Sequence, residues 1–313
     1  MGFYLIFLIK RIIKKTIFFL KKQNNIFKKK VYYFLRLLKY FFKDLKNEYK
    51  FTISDRYLGA KLCVGGYNQQ IKENYYDFNE ILNKVVVNDL NIYVPKNSFK
   101  KGELSYLYKE VFLPIKKNPH AYEMSFVRIN PGDVVIDAGS CEGFFTFYAL
   151  NKYAKKIYAF EPLGLFEESL KKTFFVQIKN GKVSIIKKGL SDKTGTEKFY
   201  SDGEYICTAK FDKDGKKLVE TITIDNFVIH NNCSKIDFIK MDIENAEVKA
   251  IKGAKDTIKK FLPRMSIAVY HDHKNAKEIK RILLEYVPEY KVIFGGCYMY
   301  ELPYRPYMIY AYV

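Results

Sequence analysis

Asp137-Ala138-Gly139-Ser140-Cys141-Glu142-Gly143-Phe144 reads D-x-G-x-x-x-G between a short apolar run and a helical pattern. Two glycines let the loop backbone approach a ligand closely, and a helix start offers free N–H groups. A dinucleotide site would want glycine where Asp137 stands, beside a pyrophosphate, and an acid there repels phosphate. Asp137 instead suits a ligand bearing an ammonium or sulfonium group, which points to S-adenosylmethionine rather than NAD. Glu161, in Ala159-Phe160-Glu161-Pro162, follows 24 residues after Asp137. A carboxylate there can accept hydrogen bonds from both ribose hydroxyls of a nucleoside; the alternative is an ordinary acid at a helix N-terminus. In Gly189-Leu190-Ser191-Asp192, Leu190 could cover an adenine face and Asp192 could bond its amino group, or Ser191-Asp192 is only a turn.

These residues need elements to hold them, and from Pro131 onward β-branched runs alternate with helical patterns. The pattern predicts strands over 134–138, 157–161, 183–187, 236–241, 265–270, 290–294 and 308–313, seven in all, with helices over 143–152, 163–178, 246–260 and 275–286. Such alternation signals a parallel α/β sheet. Glu197–Tyr200 and Leu218–Ile224 read as a hairpin-like excursion around a polar stretch containing Gly203, Asp212 and Asp214. In an open parallel sheet ligands bind beyond the carboxyl ends of the strands, where Asp137, Glu161 and Asp192 fall. The organisation expected is a basic arm over 1–50, a cover or linker over 51–130, and a cofactor-binding domain over 131–313. Within the cover, Glu110 and Tyr122-Glu123 either line the pocket or serve packing.

With Lys240-Met241-Asp242-Ile243-Glu244-Asn245-Ala246-Glu247 the chain resembles the FkbM-type methyltransferase family, whose stretch looks like K-x-D-x-E-G-A-E. V-V-I-D-A-G-S-C-E-G-F-F at 134–145, A-F-E-P at 159–162, G-L-S-D at 189–192 and T-I-T-I-D at 221–225 carry the same resemblance, over roughly residues 104–313. It implies an S-adenosylmethionine-dependent enzyme with the Rossmann-like seven-stranded class I methyltransferase sheet, here with an N-terminal helical basic extension. Asp137, Gly139, Ser140, Gly143 and Glu161 stand at the cofactor positions. The family commonly methylates hydroxyls, often on sugars or glycans. Ser140 replaces a more usual Ala, and Asn245 replaces Gly, although Asn tolerates a left-handed backbone better than most residues.

Methyl transfer to an alcohol requires an aligned attack and removal of a proton. Asp242 ends the fourth sheet strand and His271 the fifth, in Tyr270-His271-Asp272-His273, so His271 is expected as general base with Asp242 orienting it or the substrate. In the competing reading Asp242 and Glu244 cap a helix and His271 is an exposed loop residue. A cluster of Asp242, His271 and His273 around a metal is a third reading, and no metal is assigned.

The net charge of +20 is concentrated: residues 1–50 hold 14 Lys and Arg against Asp44 and Glu48. Helically spaced Phe, Ile and Leu between those basic clusters suit an anionic membrane surface, where each basic residue contributes ~1 kcal/mol, or a protein contact. No run there approaches the ~20 apolar residues of a bilayer span. Five separated cysteines without a C-x-x-C pair argue against zinc knuckles and disulfide frameworks and fit the cytoplasm, with the arm peripheral on the inner membrane face. The expected activity is an O-methyltransferase acting on a glycan or lipid-linked saccharide. A nucleic-acid methyltransferase is the competing enzyme, although no N/D-P-P-Y/F sequence follows the fourth strand. A noncatalytic membrane-attached protein with a vestigial cofactor fold is the alternative of another class.

Overall fold

The computed structural model describes residues 49–67, 70–200, 210–211, 215 and 217–313, together with Val31, Phe34, Leu35, Leu38 and Lys39. The basic arm and most of the polar stretch inside the excursion therefore lie outside the described residues. From residue 49 onward the order is helix α1 (Ile53–Gly65), strands β1 (Glu73–Asp77), β2 (Leu82–Val87) and β3 (Leu90–Pro95), and helix α2 (Glu103–Phe112). Then come β4 (Val134–Ala138), α3 (Phe144–Asn151), β5 (Lys156–Phe160), α4 (Gly164–Thr173), α5 (Phe175–Lys179) and β6 (Val183–Ile186). The excursion is β7 (Gly189–Leu190), β8 (Gly195–Tyr200), β9 (Lys210–Phe211) and β10 (Lys217–Ile222), closed by α6 (Ile224–His230). The last part holds β11 (Phe238–Met241), α7 (Glu247–Lys252), α8 (Lys255–Phe261), β12 (Arg264–Ala268), α9 (Asn275–Tyr286), β13 (Lys291–Gly295) and β14 (Met308–Tyr312).

Seven strands form the main sheet in the order β13-β14-β12-β11-β4-β5-β6. Five of them, β12-β11-β4-β5-β6, pair in parallel, and β14 runs antiparallel between β12 and β13. Central parallel strands are covered on both faces, so they read as continuous apolar runs. β4 and β11 are buried at every position. Ile136, Ile239 and Ile267 enter one core with Ile279, Ile282 and Leu283 of α9, while Val135, Ile157 and Phe238 enter the other with Phe144 and Phe145 of α3. The chain reverses its order between β4 and β11, and the carboxyl ends of those strands are where such a sheet opens a crevice.

The seven strands and the α/β class agree with the sequence reading; three details differ. The helix expected over 163–178 is broken at Phe174, whose fully buried ring closes on the loop after β4. The helix expected over 246–260 is two, parted at Gly253, where a Cβ would stand 2.2 Å from the carbonyl oxygen of Ser191. Residues 51–130 are more regular than expected. Helix α1 opens with a capping box between Thr52 and Asp55, β1-β2-β3 form an antiparallel sheet, and α2 packs Tyr108 and Phe112 against Phe144.

Candidate active site

Asp137 and Lys240 face each other in register on β4 and β11, and both side chains are buried. Lys240 Nζ donates to Asp137 Oδ1 at 3.1 Å, to the carbonyl of Ala138 at 3.2 Å and to that of Gly139 at 2.6 Å. Thr146 Oγ1, on α3, donates to Asp137 Oδ2 at 2.7 Å. Asp137 thus has both oxygens engaged beneath the loop and does not reach the cavity above it, contrary to the expectation that it grips a ligand's cation directly. It fixes Lys240, and Lys240 in turn holds the loop through two carbonyls. Burial opposes the charge of Lys240, but Asp137 and Asp242 outweigh it and raise its pKa.

Above this pair lies a cavity of about 520 Å³. Its first half is walled by the loop from Gly139 to Glu142, by Glu161 to Leu163, and by Lys188 to Leu190. Gly139 has φ +80°, and a Cβ there would stand 1.9 Å from the carbonyl oxygen of Asp242, so only glycine lets the loops after β4 and β11 touch. Glu161 accepts from the amides of Cys141 (3.1 Å) and Leu163 (2.9 Å), which aims its carboxyl group from the end of β5. Burial pushes its pKa up to about 7, against the pull of those amides and Lys240. Ser140 lines the cavity but turns its hydroxyl inward to the carbonyl of Asp137, 3.1 Å away.

Two other expected contacts fall elsewhere. Gly143 (φ +91°) begins α3, and a Cβ there would stand 2.7 Å from the ring of Phe174, so this glycine serves packing. Asp192 is exposed and accepts from Ser191 Oγ at 3.2 Å, whereas Leu190 does line the cavity.

The second half of the cavity is walled by Asp242, Glu244, Glu110 and tyrosines. Asp242 Oδ2 accepts from Tyr122 Oη at 2.7 Å and lies 3.4 Å from His120 Nε2; Asp242 Oδ1 lies 3.5 Å from His271 Nε2. Burial disfavours the Asp242 carboxylate, but contact with His120 and the charge of His271 hold its pKa well below the usual range. Burial likewise opposes charge on His271, yet the carboxylates of Glu247, Glu244 and Asp242 raise its pKa well above the ordinary value. His271 is not among the cavity-lining residues and Asp242 is, so His271 does not reach the cavity as the expected base would. His273 is half exposed beside Asp272, 3.4 Å away, and does not join His271. Asn245 keeps the backbone that glycine would have, at φ +75°, with its Oδ1 accepting from Asn275 Nδ2 at 2.9 Å.

Glu110 and Tyr122 of the cover reach the cavity, and Glu123 does not, being bound to the amide of Ile129 and the hydroxyl of Tyr148. His120, wedged between Glu110 and Asp242, was not legible: it sits in an Asn-Pro-His stretch with no periodicity.

The Methyltransferase FkbM domain family matches residues 137–290. Over that stretch the chain is similar to FkbM-type methyltransferase domains. It is 25% identical over 190 residues to methyltransferase sdnD of Sordaria araneosa, covering 50% of this chain and 71% of that one. Among solved structures, methyltransferase FkbM from Methylobacillus flagellatus is 17% identical with a TM-score of 0.46 over 66% of this chain, which spans about half (48%) of that protein's length. An S-adenosylmethionine-dependent O-methyltransferase from Thermotoga maritima is 15% identical, TM-score 0.35, over 59% of this chain and 61% of that one.

The cofactor of an FkbM-type domain is S-adenosylmethionine, and the donor set fits it. Six carboxyl side chains against two lysines line the cavity, a balance that accommodates a cationic nucleoside and repels a pyrophosphate. Of the residues expected to hold it, Gly139, Ser140, Glu161 and Leu190 line the cavity.

Proposed function

We propose that this protein is an S-adenosylmethionine-dependent O-methyltransferase whose acceptor is a hydroxyl of a sugar, in a glycan or a lipid-linked saccharide. The observation that carries the reading is one cavity running from Glu161 to Asp242, with a tyrosine-rich second half. Tyr270 and Tyr298 stack there with centroids 5.3 Å apart and planes 18° from parallel, and Tyr307 stands edge-on to Tyr298. Aromatic faces take up the apolar faces of a sugar ring, while carboxylates accept from its hydroxyls.

When bound, the cofactor supplies an electrophilic methyl group on a sulfonium. Asp242, on the cavity wall, accepts a hydrogen bond from the acceptor hydroxyl and so sets the attacking oxygen in line. Methylation of a hydroxyl releases its proton, and Asp242 is the carboxylate that would take it up. A carboxylate held ionised by His120 and Lys240 is a sufficient base; a positioned base contributes ~10²- to 10⁴-fold. Glu161 orients the nucleoside, and α2 with its tyrosines excludes water.

Nucleic acid fits the cavity less well, because its excess of carboxyl groups opposes phosphate. Among the described residues no helix is long and apolar enough to cross a membrane. Residues 1–50, with their concentrated basic charge, would place the enzyme at the inner membrane face, beside lipid-linked saccharides. Incubation of the purified protein and methyl-labelled cofactor with fractionated glycans, lipid-linked saccharides and RNA tests the reading. Label in a saccharide fraction is expected; label in RNA, or none from a protein that binds the cofactor, refutes it.

A further inference from the structure

His271 is nine-tenths buried behind the cavity wall, and neither ring nitrogen has a hydrogen-bond partner among the described residues. Carboxylates surround it instead. Nε2 lies 3.5 Å from Asp242 Oδ1 and 3.4 Å from Glu244 Oε2. Charge-assisted N–H···O bonds settle at about 2.7–2.9 Å, so these separations are long for direct pairing. They match two ligands of one tetrahedral ion: bonds of about 2.0–2.1 Å place neighbouring donors about 3.3–3.4 Å apart. The three donor groups converge, with one ligand atom from each within 4.8 Å of the others.

The surroundings of the cluster have the form of an outer shell. On the far side of the ring, Nδ1 lies 3.3 Å from Oε1 of the fully buried Glu247, and that oxygen is itself fixed by the amide of Ile243 at 2.9 Å. A carboxylate behind a histidine is the usual support of a metal-ligating imidazole. Tyr122 donates to Asp242 Oδ2 at 2.7 Å, which leaves Oδ1 toward the cluster. Glu244 and Asn245 have φ +53° and +75°, two successive left-handed residues in the turn that follows β11. Asp242 and Glu244 line the cavity, so a further coordination position faces it.

We propose that Asp242, Glu244 and His271 bind one divalent first-row transition ion, of the Zn²⁺ or Mn²⁺ kind, with an open position toward the cavity. Two carboxylates and an imidazole are the mixed donor set such ions accept. The use of this ion, to draw an acceptor hydroxyl oxygen to the wall and acidify it, rests on the methyltransferase reading above; the binding itself does not.

The test uses the whole chain, freed of metal by a chelator and titrated with Mn²⁺ followed by electron paramagnetic resonance, and with Zn²⁺ against a coloured chelator. Cofactor binding is measured by calorimetry on the same samples. About one ion per chain is expected, with affinity reduced about 10- to 100-fold or more in Glu244→Gln and His271→Ala and unchanged in His273→Ala. No uptake of either ion at about 1 mM, or equal uptake by wild type and both ligand variants, overturns the proposal. Should His271→Ala fail to fold, Glu244→Gln decides alone, since Glu244 is partly exposed on its loop. Cofactor binding without ion binding sinks this inference and spares the methyltransferase; ion binding without cofactor binding does the reverse.

Discussion

Replacing Lys240 by methionine leaves Asp137 buried in the centre of the sheet, with Thr146 its one remaining side-chain hydrogen-bond donor. The variant leaves that carboxylate without its charge partner. An unpaired buried carboxylate costs about 3–5 kcal/mol, so the expected loss is about 4 kcal/mol, or roughly 8–16 °C in melting temperature at about 2–4 °C per kcal/mol. Asp137→Asn combined with Lys240→Met should recover most of it. Urea unfolding at pH 7, with cofactor titration at 10 °C, reads both. A loss under about 1 kcal/mol, or no recovery in the double variant, refutes the assignment of Asp137 as the partner of Lys240 rather than of the ligand.

Three further outcomes are expected. Gly139→Ala should lower stability well beyond Gly132→Ala, which shares a positive φ but meets nothing within 4 Å and so registers only the ~1–2 kcal/mol of backbone strain; equal losses by thermal melting would deny the close contact of the two loops. Glu161 is protonated below its raised pKa of about 7, so cofactor affinity should fall as pH drops from 8 to 6, by up to about tenfold per unit below pH 7, and Glu161→Gln should flatten the curve in calorimetry. Tyr122→Phe removes a hydrogen bond to a charged group, worth ~1.5–3 kcal/mol, and should lower turnover about tenfold or more with cofactor affinity kept; full turnover would free Asp242 from its supposed orientation.

Much of the sheet was legible because buried parallel strands announce themselves as unbroken apolar runs, and β4 stands where Val134–Ala138 was read. The glycines were legible as glycines but not in their tasks: Gly139 relieves a carbonyl of a distant loop and Gly143 a ring of α5's approach, contacts that no local pattern encodes. Asp137 misled for a similar reason. An acid after a strand looks like a ligand contact until the lysine 103 positions later is placed beside it, and only strand register does that. That Asp242 lines the cavity and His271 does not is likewise a matter of depth, since both end neighbouring strands and sequence gives no measure of which side chain reaches the void. His120 and the tyrosine wall come from segments whose positions are set by tertiary packing.

The touch between Gly139 and the carbonyl of Asp242 makes the two halves of the cavity a single mechanical unit. A substitution that shifts one loop shifts the other, so a new acceptor preference engineered at either loop would disturb both halves. Engineering latitude lies across the void, in α2 and in the segment carrying Tyr298 and Tyr300, whose side chains face the same space from outside that contact.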